Sequence, residues 1–96
     1  MSCYFVARIT IHDPAGYGAY LDGFDQVFAQ HDGEVVAVDE SPRPLEGVWS
    51  ADRLVLIRFP DEAAARRWYD SPEYQKLIRV RQRAAEAEIV LATGRD

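Results

Sequence analysis

Arg81 occupies a position where chemistry is the natural question. Read at helical spacing, Tyr74, Leu77, Ile78, Arg81, Ala84 and Ala85 form one apolar stripe, and the arginine stands where leucine would be ordinary. An unpaired guanidinium is very costly to bury, so it needs a carboxylate, a bound anion or a route to water. Two uses follow. Structurally, Arg81 pairs with an internal acid such as Glu46, or runs its stem out at the helix end. Functionally, it fixes the anionic group of a small ligand in a cleft between helices and sheet.

Glu46 is the natural partner. It precedes Gly47 and lies near Trp49, and a carboxylate beside an indole can be desolvated enough to serve as acid or base at neutral pH. Its plainer use is to cap backbone N–H groups or bind an arginine. His31 closes the apolar stripe of the first helical segment, where it either acts as a general base or complements the negative end of the helix dipole. Glu46 and His31 are therefore the candidate catalytic groups, and His12, beside Asp13, is a weaker one. Trp49, Tyr20, Tyr69 and Tyr74 are candidate ligand-binding residues beside Arg81. Together with Tyr17 and Trp68 they either fill a core and an interface or line a pocket for a planar molecule. Arg8 and Arg58 read as salt-bridge partners for acids of a second subunit.

Other chemistries lack their signatures. The chain has no CxxC, HExxH or paired-histidine motif, so no metal site is expected. No glycine-rich phosphate loop follows a strand, and no cofactor is expected. The two histidines could ligate haem, but no other feature supports that use. Cys3, the single cysteine, reads as a small buried hydrophobe rather than a nucleophile.

The elements that would position these residues can be read in order. Cys3 to Ile11 is rich in β-branched and aromatic residues and reads as a strand, with both faces seeking cover. Asp13-Pro14 starts a helix as N-cap and first-turn proline, and the stripe Tyr17, Tyr20, Leu21, Phe24, Val27, Phe28 and His31 carries it to Asp32-Gly33, with Gly33 as candidate C-cap. Gly33 to Asp39 is a second strand. Pro42, Pro44 and Gly47 make residues 40–50 a loop. Arg53 to Phe59 is a third strand. Asp61 caps a second helix, whose apolar side is Ala64, Ala65, Trp68 and Tyr69. Ser71-Pro72 breaks it near Asp70 and starts another helix that runs to about Glu86. Glu88 to Thr93 is the last strand.

The order βαββαβ is a split βαβ arrangement: an α+β fold with a four-stranded antiparallel sheet and helices on one face. The other face, with Val6, Val35 or Val36, Val55, Ile57 and Val90, is expected to be covered by a second copy. The 96 residues suit one domain, 1–96, and such a short chain gains burial by dimerising. Eleven basic against sixteen acidic side chains give a net charge of −5, which argues against nucleic acid as a partner. The N-terminus does not read as a signal peptide and no apolar run reaches membrane-spanning length, so a cytoplasmic location is the default.

One set of residues carries a family resemblance. Leu45-Glu46-Gly47 with Trp49, then Phe59-Pro60, the run Trp68-Tyr69-Asp70-Ser71-Pro72-Glu73-Tyr74-Gln75, Arg81, Ala84-Ala85 and a terminal Ile-Val-Leu strand stand in sequence. With Asp13-Pro14 and Tyr17 to Tyr20, they resemble the uncharacterised DUF1330 family of short bacterial proteins, across essentially the whole chain. The resemblance implies a ferredoxin-like fold of the dimeric α/β-barrel superfamily and a homodimer joined through the open sheet face. It implies no activity. The wider superfamily includes cofactor-free monooxygenases of quinone-like substrates, lactone isomerases and haem-dependent enzymes, and no motif here transfers a catalytic residue from any of them.

Three readings of function remain: a cofactor-free enzyme acting on a small, partly apolar or phenolic anion, with Arg81 orienting it and Glu46 or His31 taking a proton; a non-catalytic dimeric module that binds a small molecule; and a structural module in which Arg81–Glu46 is an internal tie.

Overall fold

In β1 (Cys3–Ile11), alternate residues are buried, and Cys3, Phe5, Ala7 and Ile9 form the buried set. That period of two is the signature of a strand with one face on the core. The structure, a computed structural model, describes all residues 1–96. It continues with α1 (Pro14–Phe28), β2 (Glu34–Asp39), β3 (Arg53–Phe59), α2 (Glu62–Tyr69), α3 (Pro72–Ala84) and β4 (Ala85–Thr93). The sheet order is β2-β3-β1-β4 with all neighbours antiparallel, the ferredoxin-like βαββαβ arrangement.

Helix starts follow local chemistry. The Asp13 carboxylate accepts from Gly16 N at 3.1 Å, Asp61 from Ala64 N at 2.8 Å, and the Ser71 hydroxyl from Tyr74 N at 3.3 Å. Each such cap stabilises its helix by about 1 kcal/mol. Ser71 also donates to the carbonyl of Trp68 at 2.7 Å, which stitches the end of α2 to the start of α3 across the break that Pro72 imposes.

Two boundaries differ most from the sequence reading. α1 ends at Phe28, and Gly33 is not its cap, because Ala29 closes the helix in right-handed geometry. Gly33 instead lets the chain pass against two rings: a Cβ there would lie 2.5 Å from Phe28 and 2.7 Å from Phe59. β4 begins at Ala85 rather than Glu88, because the backbone turns directly from helix to extended at Ala85, which pairs with Ile11.

The core lies between the helices and one sheet face. Trp68 is fully buried and packs on Tyr74 with ring centroids 4.2 Å apart, on Phe5 at 5.1 Å and on Phe59 at 5.4 Å. Each such pair adds roughly 0.5–1.5 kcal/mol beyond its burial.

The opposite face carries no helix. Pairing puts Val55 opposite Ala7 and Ile57 opposite Phe5, so both point to the helices, and the open face of β3 is Leu54, Leu56 and Arg58. This corrects the expectation that Val55 and Ile57 lie on the bare side; Val6 and Val90, paired with each other, do lie there. In β2, Val35 pairs with Ile57 and Ala37 with Leu56, which leaves Val36 as the spare residue of a bulge. No helix is long and apolar enough to cross a membrane.

Candidate functional site

Between α1 and the helix-covered side of β1, β2 and β3 lies a cavity of about 310 Å³. Its floor is Phe5, Ala7, Ile9, Val55 and Ile57, and its mouth opens between Leu21 and Asp25 on α1 and Val35 and Val38 on β2. The wall is apolar except for Asp25 at the mouth, the phenols of Tyr17 and Tyr20, and two arginines, Arg53 and Arg81.

Arg81 is only 4% exposed. It donates from one terminal nitrogen to the Tyr74 hydroxyl at 3.0 Å, and its guanidinium lies 5.6 Å from the Tyr20 ring centre. The Tyr74 and Tyr20 hydroxyls are 2.6 Å apart. No carboxylate touches Arg81, and its Nε is buried without an acceptor. The cation is thus held by neutral phenols and ring faces, which supply cation–π attraction of about 2 kcal/mol when desolvated. Withdrawing it from water costs several kcal/mol. Burial works against its charge, and the surrounding Tyr74, Tyr20 and Tyr69 outweigh that and raise its affinity for the proton. Burial, reinforced by Tyr20, pushes the Tyr74 phenol well above its ordinary value, so it stays protonated.

Arg53 opens β3 on the same face as Val55 and Ile57. It is 8% exposed and binds the carboxylate of Glu40 at 3.0 Å, while its guanidinium sits 5.5 Å from the Tyr17 ring centre. Burial raises the Tyr17 phenol, and Arg53 pulls it partly back.

The site candidates read from sequence divide cleanly. Tyr20 and Arg81 line the cavity, and Tyr74 stands behind them as the link between the two. The expected Arg81–Glu46 pair does not form: Glu46 is exposed in the loop before β3, outside the cavity. The cause is the loop's position, since nearby Trp49 stacks on Arg8, 5.1 Å from ring centre to guanidinium, and Arg8 belongs to the open sheet face. Trp49 therefore lies on the other side of the sheet from Arg81. His31, half-buried in the turn after α1, also lies outside the cavity, as does exposed His12. Tyr69 borders a separate groove of about 480 Å³ with Phe5, Glu62, Arg66 and Ile89, where Arg66 is already bound to Glu62 at 2.7 Å. Arg8 bonds Glu88 of its own chain at 3.1 Å, and Arg58 donates to the Ser2 hydroxyl at 3.1 Å. Burial, reinforced by Glu62, keeps the Cys3 thiol protonated.

Arg53 and Asp25 are the polar wall residues that the sequence reading passed over as site groups, whereas Tyr17 stands on the wall as one of the aromatics named for a pocket. A signal for Arg53 was present: at a period of two it shares the apolar set of Val55, Ile57 and Phe59, the same anomaly on a strand that Arg81 shows on a helix.

Comparisons with known proteins bear on the fold. A protein of unknown function from Rhodopseudomonas palustris superposes with a TM-score of 0.77 at 19% identity, over 99% of this chain and 83% of that one. SnoaB, a cofactor-independent oxygenase from Streptomyces nogalater, gives 0.70 at 23% identity over 99% and 94%. A dimeric ferredoxin-like protein of unknown function from Thermobifida fusca gives 0.68 at 13% over 98% and 92%. No curated protein matches the chain in sequence. The family model for a domain of unknown function, DUF1330, matches residues 2–95, and the chain belongs to that family.

Proposed function

We propose that the cavity takes up a small, mostly apolar molecule carrying an acidic oxygen, a phenolate, enolate or aryl carboxylate, and that Arg81 holds that oxygen. One observation carries this reading: a guanidinium 4% exposed, on an apolar wall, meets no carboxylate of its own chain. An anionic ligand would supply the missing charge, and in this reading Tyr20, on the same wall, donates its hydroxyl to the same oxygen. A volume of about 310 Å³ is at the small end of ligand sites, enough for a bicyclic aromatic. Glu46 and His31 have no part in this reading, since neither reaches the cavity. Titration with 2-naphthoate and with the neutral 2-naphthamide tests it. Saturable binding of the acid, preferred over the amide and weakened at least about tenfold in Arg81→Met, is expected. No saturable binding, or equal binding by the variant, would defeat it.

A catalytic role, as a cofactor-free oxygenase or a related enzyme, draws support from the likeness to SnoaB. Consumption of dioxygen with a bound phenol, lost in Tyr20→Phe, is its test; binding without turnover would leave a non-catalytic binding module.

The open sheet face supports a homodimer. Leu54, Leu56, Val6 and Val90 share it, and Leu45 and Val48 in the adjoining loop are 98% and 93% exposed. The Thermobifida fusca neighbour is dimeric. Leu56→Glu should yield a monomer in sedimentation; an unchanged mass would refute the arrangement. A lone free Cys3 supports a cytoplasmic setting.

A further inference from the structure

We infer that the cavity is electrostatically oriented, so that its ligand enters with the acidic group toward Arg53 and Arg81 and must present a neutral or proton-donating group to Asp25. This rests on the proposed binding role and adds to it the ligand's polarity and charge count.

The ordering along the cavity comes from the strand ladder. Arg53 pairs with Ile9, Val55 with Ala7 and Val38, and Ile57 with Phe5 and Val35. These rungs form successive levels of the cavity floor, from Arg53 at one end to Val35 at the other. α1 runs over them. Tyr17 lies against Arg53 and Tyr20 against Arg81, so both guanidinium groups belong to the first half. The packing of α3 agrees: Gly16 lies against Ala84 and Gly23 against Leu77, which sets Arg81 between those two levels. Asp25 comes eight residues after Tyr17, roughly 12 Å further along the helix axis.

The chemistry at the two ends is opposite. At the first, Arg81 has no carboxylate partner, Arg53 is paired with Glu40 through one terminal nitrogen, each keeps a buried Nε without an acceptor, and two phenols flank them, so the uncompensated positive charge is that of Arg81. At the second, Asp25 is the sole acid on the wall and is exposed at the mouth. A second carboxylate on the ligand would meet Asp25 and be repelled, whereas a hydroxyl there would donate to it. The ligand class is an elongated apolar monoanion, favoured further by a hydroxyl at the end remote from the acid.

Three acids of one ring system separate charge from shape: 2-naphthoate, naphthalene-2,6-dicarboxylate and 6-hydroxy-2-naphthoate. They are titrated at low ionic strength into the wild type and into Asp25→Asn, which preserves side-chain size. The wild type should prefer 2-naphthoate to the dicarboxylate by about tenfold or more, and the hydroxy acid should bind at least as well as 2-naphthoate. Asp25→Asn should shrink the discrimination against the dicarboxylate to within about threefold. Equal binding of the mono- and dicarboxylate by the wild type, or discrimination that persists undiminished in Asp25→Asn, overturns the orientation while leaving the binding site in place. Failure of all three to bind removes the binding site and the orientation together.

Discussion

The phenol oxygens of Tyr20 and Tyr74 lie 2.6 Å apart, and the second of them accepts from Arg81 at 3.0 Å. With its oxygen accepting from Arg81, Tyr74 can donate its own O–H to the Tyr20 oxygen, which leaves the Tyr20 O–H free to donate elsewhere. A buried charge at the head of such a chain polarises every bond along it. Tyr74→Phe removes the one acceptor that Arg81 has, and should lower stability by about 2–3 kcal/mol, the cost of orphaning a buried charged donor. Tyr20→Phe, which leaves the Arg81 contact intact, should cost only about 1 kcal/mol. Urea denaturation of both variants measures the difference, and equal losses would mean that Tyr74 is not the anchor.

Arg81→Met separates binding from folding. Replacing a buried ion pair by apolar groups is often neutral or stabilising by about 1–4 kcal/mol, and by the same logic an apolar side chain of similar length relieves the desolvation of a lone cation on an apolar wall. The variant should unfold at the same or higher urea concentration. A loss above about 2 kcal/mol would show that the guanidinium is a structural tie.

Alkaline pH should weaken the fold through the two buried phenols. Tyr17 and Tyr74 are both raised in the native state, chiefly by burial. Below the unfolded value of about 10, each is protonated in both states and its contribution is fully present. Above it the unfolded chain releases protons that the native state retains, so stability falls as pH rises, by about 1.4 kcal/mol per pH unit for each phenol. Unfolding free energies measured across this range should drop more steeply for the wild type than for Tyr74→Phe. Parallel slopes would contradict the assignment.

Two glycines of α1 should respond oppositely to alanine. At Gly18 an added Cβ meets nothing within 4 Å, so Gly18→Ala should stabilise by about 1 kcal/mol through helix propensity. At Gly16 the same atom would lie 2.7 Å from the capping carboxylate of Asp13 and 3.1 Å from Ala84 Cβ, so Gly16→Ala should destabilise. Thermal unfolding reads both.

Local signals account for most of what the sequence revealed. The Asp-Pro and Ser-Pro starts, the period-two burial of β1 and the break at Asp70 are short-range properties, and each lies where the residues indicated. The misplaced features depend on long-range register. Whether Val55 faces helices or open space is fixed by its pairing with Ala7, nearly fifty residues away in the chain, and no local pattern carries that. The Glu46 expectation failed for the same reason: adjacency to Trp49 was legible, but the side of the sheet on which the loop lies was not. Arg81 was legible as an anomaly because it interrupts one helical stripe, whereas its partners are phenols brought from α1 and from the first turn of its own helix.

The spare residue in β2 has a consequence for how copies of the chain can join. Val36 breaks the regular spacing of hydrogen-bonding groups along an outer strand. A kinked rim is a poor template for another strand, so it resists the runaway ribbon growth that ends in fibrils. Straightening it by deleting Val36 would offer a smooth border to any passing strand and trade a finite particle for an open-ended one.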